Sequence, residues 1–257
     1  MNATAHSSLI AVESDEGLRA APLDLGDDVH IFFVALDERG LHSAHVLDAD
    51  ERRRAARFHF ERDRIRYVAA HVALREVVAR ALGRAPATVR WTYGRHGKPA
   101  IVDHPELGFN LSHSGDRAVV AIAWRREVGV DLERIAEVDE LEVAKLVFSA
   151  AEQAALRERV ADRRHTFFRI WACKEALVKA RGDGLGGPLA AFDVAAQPQA
   201  GDVLIANRLD DPRAWSIRQL DAEPGYAAAI AAVGSAWRVV VRNGLESSCH
   251  AGRVLER

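Results

Sequence analysis

Residues 165–184 read HTFFRIWACKEALVKARGDG. Placed about 100° apart, Thr166, Phe167, Ile170, Cys173, Leu177 and Ala180 fall on one face, which predicts a helix packed on a core. Trp171 and Val178 widen that face, and Gly182 suits a left-handed C-terminal cap. Lys174 falls inside the apolar arc, where an ammonium is costly unless it snorkels to water or meets an anion. Glu175 and Lys179 stand four apart at the margin beyond Trp171. They read either as a surface ion pair or as two functional groups at one apolar edge.

Around this stretch the chain has 257 residues, 49% hydrophobic and 28% charged, enough for one large core or two similar halves. A net charge of −2 argues against bulk binding to nucleic acid or to an anionic membrane. Cys173 and Cys249 build no disulfide framework, which fits a reducing cytoplasm, and Cys173 reads as core. No apolar run reaches membrane-spanning length, and the start lacks the basic and apolar segments of a secretory signal. Lysine occurs only at 98, 145, 174 and 179; the rest of the 35 Lys and Arg residues are arginine. A compact ammonium suits a point contact with a phosphate or carboxylate, which draws attention to those four positions.

Upstream, residues 29–36 predict a buried strand, 41–58 a helix opening near Asp48-Ala-Asp50, and 64–82 an amphipathic helix closed by Gly83. Glu51-Arg-Arg-Arg54 gives a basic turn, either a solvated face or a phosphate patch. Strands follow at 89–93, 108–113 and 117–124, with Lys98 on the rigid corner Gly97-Lys98-Pro99 and Ser112-His113 near a strand end. In the strand 127–133, Asp131 and Glu133 share a face. They form either the polar side of an edge strand or, bridged by a cation, two oxygen ligands for magnesium or manganese. Helices are expected at 139–147 and 149–160, the second opened by a Ser149–Glu152 capping box. Further strands are expected at 192–195, 203–206, 215–220, 226–232 and 237–241. Residues 182–187 (GDGLGG) follow a helix instead of opening one and fail as a dinucleotide loop. This order predicts an α+β fold built by pseudo-twofold duplication of two similar α/β halves, residues 28–126 and 127–242. A flexible tail is expected at 1–27 and a frayed one at 243–257.

Four blocks then occur in order: Phe109-Asn-Leu-Ser-His-Ser114, Gly129-Val-Asp-Leu-Glu133, Phe148-Ser-Ala-Ala-Glu152 and Trp171-Ala-Cys-Lys-Glu-Ala-Leu-Val-Lys179. Together with Gly97-Lys98-Pro99 and residues 52–58, over roughly residues 30–235, the chain resembles the Sfp-type 4′-phosphopantetheinyl transferases. The resemblance implies transfer of phosphopantetheine from coenzyme A to a carrier-protein serine, with release of adenosine 3′,5′-bisphosphate at a site between the halves. It implies a metal site at Asp131, Glu133 and Glu175, for Mg2+ with Mn2+ as the alternative. Lys174 and Lys179 fall beside the phosphates and, with Glu175, on the catalytic positions. Lys98, Ser112 and His113 match coenzyme A-binding positions, and Arg53, Arg54 and Arg66 match contacts for the nucleotide phosphate.

The residues agree with that chemistry. Fixed positive charge and a divalent ion would neutralise the leaving bisphosphate, and Glu175 or a metal-bound water would take the serine proton. The expected partner is an apo acyl, peptidyl or aryl carrier domain, docked against residues 137–164 with Lys145 and Phe148 as candidate contacts. The duplicated chain is expected to act as a cytoplasmic monomer without nucleic acid or membrane. Two other classes compete: a magnesium-dependent enzyme cleaving the pyrophosphate of coenzyme A or a nucleotide with no carrier, and a non-catalytic coenzyme-binding module. The complete set Asp131, Glu133, Glu175 and Lys179 argues against the module.

Overall fold

The structure, a computed structural model, describes residues 10–14, 22–184, 186–197, 201–209, 211 and 213–243. A short strand, β1 (Ile10–Ser14), precedes two runs of the same topology. The first run is β2 (Val29–Ala35), helices α1 (Ala49–Ala55) and α2 (Glu61–Leu82), the hairpin β3 (Trp91–Tyr93) and β4 (Pro99–Ile101), then β5 (Leu107–Ser114) and β6 (Arg117–Trp124). The second is β7 (Val128–Arg134), helices α3 (Glu140–Val147), α4 (Ala150–Glu158) and α5 (Arg163–Arg181), the hairpin β8 (Phe192–Val194) and β9 (Leu204–Asn207), then β10 (Trp215–Leu220) and β11 (Tyr226–Val233). In each run the last strand pairs antiparallel with both the first and the penultimate one, giving the orders β2-β6-β5 and β7-β11-β10. The expected α+β duplication is present.

Period-two patterning explains the layers. Val29 and Ile31 on β2, Val119 and Ala121 on β6, Val130 and Leu132 on β7 and Ile230 on β11 all enter one core between the two sheets. The alternate residues face outward onto the helices. Phe32, Phe109, Val120 and Ile122 pack on Leu74, Val77 and Val78 of α2. Ile217, Ala229 and Ala231 pack on Ile170, Cys173 and Leu177 of α5. Gly83 (φ 61°) and Gly182 (φ 74°) close α2 and α5 in the left-handed conformation that glycine adopts without steric cost.

Three sequence expectations are corrected. The last strand among the described residues, β12 (Val239–Asn243), lies parallel to β2, between it and β1, so it belongs to the first sheet and the unit drawn at 127–242 does not end within its own half. The tail drawn at 1–27 contains β1 and the buried Leu23 and Leu25; its residues 1–9 and 15–21, and the tail residues 244–257 with Cys249, lie outside the described residues. The helix expected at 41–58 is instead a 3-10 segment at Glu38–Val46 followed by α1. The break falls at Asp48, which is extended, accepts the N–H groups of Asp50 and Glu51, and forms a capping box with Glu51. Among the described residues no helix is long and apolar enough to cross a membrane.

Candidate active site

The seam between the halves is made by β5 and β7, and side chains stitch it. Asn110, Ser112 and Ser114, alternate residues of β5, accept the backbone N–H groups of Val130, Leu132 and Arg134 at 2.9, 3.3 and 3.0 Å. They satisfy the edge of β7 that faces away from β11. This is the structural meaning of the Asn-Leu-Ser-His-Ser block, and the period-two spacing of its polar residues is the signal for it.

The same hydroxyls hold the carboxylates. Ser112 Oγ donates to Asp131 Oδ1 at 2.9 Å, and Ser114 Oγ donates to Glu133 Oε2 at 3.1 Å. Trp171 Nε1 donates to Glu133 Oε1 at 3.2 Å. Lys179 reaches across from α5 and donates to Asp131 Oδ1 at 2.6 Å and to Ser112 Oγ at 2.8 Å. The approach of α5 depends on Gly129: a Cβ there would stand 2.2 Å from the Ala180 nitrogen and 2.3 Å from the Ala176 oxygen. No side chain fits, so helix backbone lies directly on strand backbone and the roots of Glu175 and Lys179 come within reach of Asp131.

Glu133 and Glu175 both lie near enough to Asp131 to feel its charge, and the three are unevenly satisfied. Asp131 is 2% exposed, and its Oδ2 is buried with no hydrogen-bond partner. Burial, and then the neighbouring Asp131 charge, pushes the carboxyls of both Glu133 and Glu175 above the ordinary range. Repelling carboxylates beside an orphaned buried oxygen are a donor set that a hard divalent cation would relieve. Among the described residues no group of three His, Cys, Asp or Glu side chains is already closed to metal-ligand spacing.

Below the carboxylates runs a groove of two adjoining cavities, about 250 and 260 Å³, which share Gly97, Pro99, Asn110 and Leu111. The first is walled by Glu175 and Lys179. The second holds Arg54, His71, Trp91, Tyr93 and His113. The Arg54 guanidinium stands 5.4 Å from the Tyr93 ring centroid. Burial lowers the His113 pKa, with Lys179 and Arg66 adding to the effect, so the ring is neutral near pH 7. A further cavity of about 320 Å³, lined by Phe33, Leu132 and Tyr226, lies on the other face of β7 and contains none of the predicted site residues.

Several predicted residues do something else. Lys174 is 1% exposed and takes no part in the cluster. Its ammonium donates to Glu152 Oε2 at 2.9 Å and to the carbonyls of Leu189 and Phe192, both at 2.7 Å, which uses all three of its protons. Glu152, expected only as a capping-box residue, both closes that box on Ser149 and accepts the N–H of Val194. The anion that Lys174 required is thus a protein carboxylate, and the residue pins α5 to α4 and β8. The Glu175–Lys179 pair does not form either, because Lys179 turns to Asp131. Lys98 lines the groove, but burial lowers its pKa to about 8 and its ammonium donates to the carbonyls of Ala180 and Val128, at the negative end of α5. Of the three arginines, Arg54 faces the groove, Arg53 pairs with Asp50 in solvent, and Arg66 is held by Asp116 and Asp63. Phe148 is 3% exposed and packs on Phe167, so it is core and not a docking contact.

Residues 37–125 match the 4'-phosphopantetheinyl transferase N-terminal family, and residues 127–231 match the 4'-phosphopantetheinyl transferase superfamily. The chain is 36% identical over 222 residues to the 4'-phosphopantetheinyl transferase HetI of Nostoc sp., covering 83% of this chain and 91% of HetI. The chain belongs to the Sfp-type 4′-phosphopantetheinyl transferases. It is also 32% identical over 187 residues to the Bacillus subtilis transferase Sfp, covering 72% of this chain and 82% of Sfp. A crystal structure of Thermotoga maritima holo-[acyl-carrier-protein] synthase shows a partial likeness, 22% identical over 42% of this chain and 63% of that one, with a TM-score of 0.35.

Proposed function

We propose that this transferase moves 4′-phosphopantetheine from coenzyme A to a serine of an apo carrier protein and releases adenosine 3′,5′-bisphosphate. The observation that carries the reading is the Asp131–Lys179–Ser112 cluster, flanked by Glu133 and Glu175, at the head of a groove between the two halves. Asp131, Glu133 and Glu175 would hold a divalent cation, magnesium or manganese. When bound, it supplies charge neutralisation on the pyrophosphate of coenzyme A. Lys179 adds fixed positive charge against the negative charge that develops on the leaving bisphosphate. Neutral His113 donates one ring N–H to a phosphate oxygen. Arg54 and Tyr93 line the second cavity, where Arg54 offers a guanidinium to the ribose phosphate of the nucleotide. The raised carboxyl of Glu175 lines the groove and accepts the proton of the attacking serine. With both halves in one chain the enzyme acts as a monomer, and we place it in the cytoplasm.

Carrier-dependent appearance of adenosine 3′,5′-bisphosphate, followed by chromatography, tests the reaction. Release that requires the apo carrier supports transfer, and equal release without carrier supports simple pyrophosphate cleavage. The Glu175→Gln protein is expected to turn over roughly 10²-fold more slowly. A full rate, with Mn2+ affinity unchanged, would remove Glu175 as proton acceptor.

Residues 137–164 also carry the docking surface, with exposed apolar contacts in place of the buried Phe148. Leu146 is 83% exposed and Val160 74%, and the cations near them are paired within the segment, Lys145 with Glu142, Arg159 with Asp162 and Arg164 with Glu140. Large apolar side chains left this open fit a protein contact. Leu146→Asp is expected to raise the KM for the carrier about tenfold while leaving that for coenzyme A unchanged, measured by initial rates with each substrate varied in turn.

A further inference from the structure

Lys179 is reachable from the groove and yet engaged elsewhere. Its side chain is 29% exposed and forms part of the groove wall, while its ammonium rests on Asp131 Oδ1 and Ser112 Oγ. The two oxygens of Asp131 differ sharply. Oδ1 accepts from two donors, and Oδ2 is buried with none. The unpartnered oxygen has room in its bonding for a second cation, and leaving it bare costs free energy. The single charge of Asp131, however, is already neutralised by Lys179. A divalent ion on Oδ2 would share one carboxylate with that ammonium, and like charges so close repel by well over RT at the effective dielectric of a protein surface.

We propose that Lys179 guards Asp131 against a free divalent cation, so that the cation enters this site together with a pyrophosphate. The pyrophosphate changes both sides of the balance. Its oxygens complete the coordination of the cation, and they offer the ammonium a new anionic partner one helical turn from Glu175, on the same groove wall. Lys179 then leaves Asp131 Oδ1 for the phosphate, and the full carboxylate charge becomes available to the cation. Cation and coenzyme A each raise the affinity for the other by the same factor, as linkage requires. The inference rests on reading the groove as the coenzyme A site and the carboxylates as cation ligands.

The test is a Mn2+ titration followed by electron paramagnetic resonance, without carrier and so without turnover, in the presence and absence of coenzyme A. In the wild-type protein coenzyme A is expected to tighten Mn2+ binding by about tenfold or more. In Lys179→Gln, Mn2+ alone is expected to bind about tenfold tighter than in wild type, and coenzyme A to add less than about threefold. Lys179→Arg, which keeps a cation beside Asp131, is expected to retain weak Mn2+ binding in the absence of coenzyme A. Unchanged or weaker Mn2+ binding by Lys179→Gln would overturn the proposal. Asp131→Asn separates the two levels. If it abolishes Mn2+ binding while Lys179→Gln brings no gain, the guarding role alone falls. If Asp131→Asn leaves Mn2+ binding intact, the carboxylate site falls and the guarding role with it.

Discussion

The Asp131→Asn protein is expected to lose on the order of 10²–10³ of its transfer rate while keeping its fold. Asparagine matches aspartate in volume, so the packing of α5 on β7 at Gly129 is undisturbed. What changes is charge and hydrogen-bond sense. Ser112 Oγ and Lys179 Nζ both donate to Oδ1, and an amide turned the wrong way would present N–H to two donors. Turned the right way, it still provides no anion for a cation or for the Lys179 ammonium. Lys179 is partly exposed and can recover water, which keeps the stability cost modest. Initial rates of bisphosphate release, paired with a thermal melt, separate the two effects. A rate within a few-fold of wild type, with an unchanged melt, would remove Asp131 from the reaction.

Lys174→Met is expected to cost about 3–5 kcal/mol of folding stability, a large share of the roughly 5–15 kcal/mol available to a domain. The substitution leaves Glu152 2% exposed, without its cation, on the buried side of α4. The carbonyls of Leu189 and Phe192 lose their shared donor at the same time. Pairing it with Glu152→Leu removes the stranded charge and is expected to recover part of the loss, so the double mutant should be more stable than the single one. The midpoint of chemical denaturation measures both. If Lys174→Met instead melted like wild type and lost only transfer, Lys174 would belong to the phosphate site after all.

These two residues mark how far the site was legible in the sequence. The helix at 165–184, its glycine cap and its buried face follow from periodicity, and the repeated strand–helix–hairpin–strand order follows from where the apolar runs fall. Asp131 and Glu133 on one face of a strand follow from period two. Lys174 was misread because periodicity tells which face a residue occupies but not which carboxylate waits there. Glu152 lies on another helix, and the capping box already explained its presence. Phe148 was misread for the same reason, since an aromatic between two short helices can point in either direction. Ser112, expected as a ligand contact, has its single proton on Asp131 and accepts from Lys179 and Leu132, so it positions the site's charges. Gly129 stood in plain view inside the Gly-Val-Asp-Leu-Glu block. Its role is visible only once α5 lies against it.

Arg75 carried no local signal at all. It is fully buried in the middle of α2, with Nε on Glu51 at 2.6 Å and Nη2 on Asp48 at 2.7 Å, and Glu51 also accepts Trp91 Nε1 at 3.0 Å. The network fixes α1, and with it Arg54, against the floor of the groove. An acidic pair 24 and 27 residues upstream of an arginine gives periodicity nothing to detect.

The most direct test of the central claim is the intact mass of an apo carrier protein after incubation with this enzyme, coenzyme A and Mg2+. The expected result is a single added phosphopantetheine on the carrier serine, absent when that serine is alanine and strongly slowed with Asp131→Asn. A carrier that stays at its original mass while coenzyme A is consumed, or that gains the group equally well with Asp131→Asn, would contradict it.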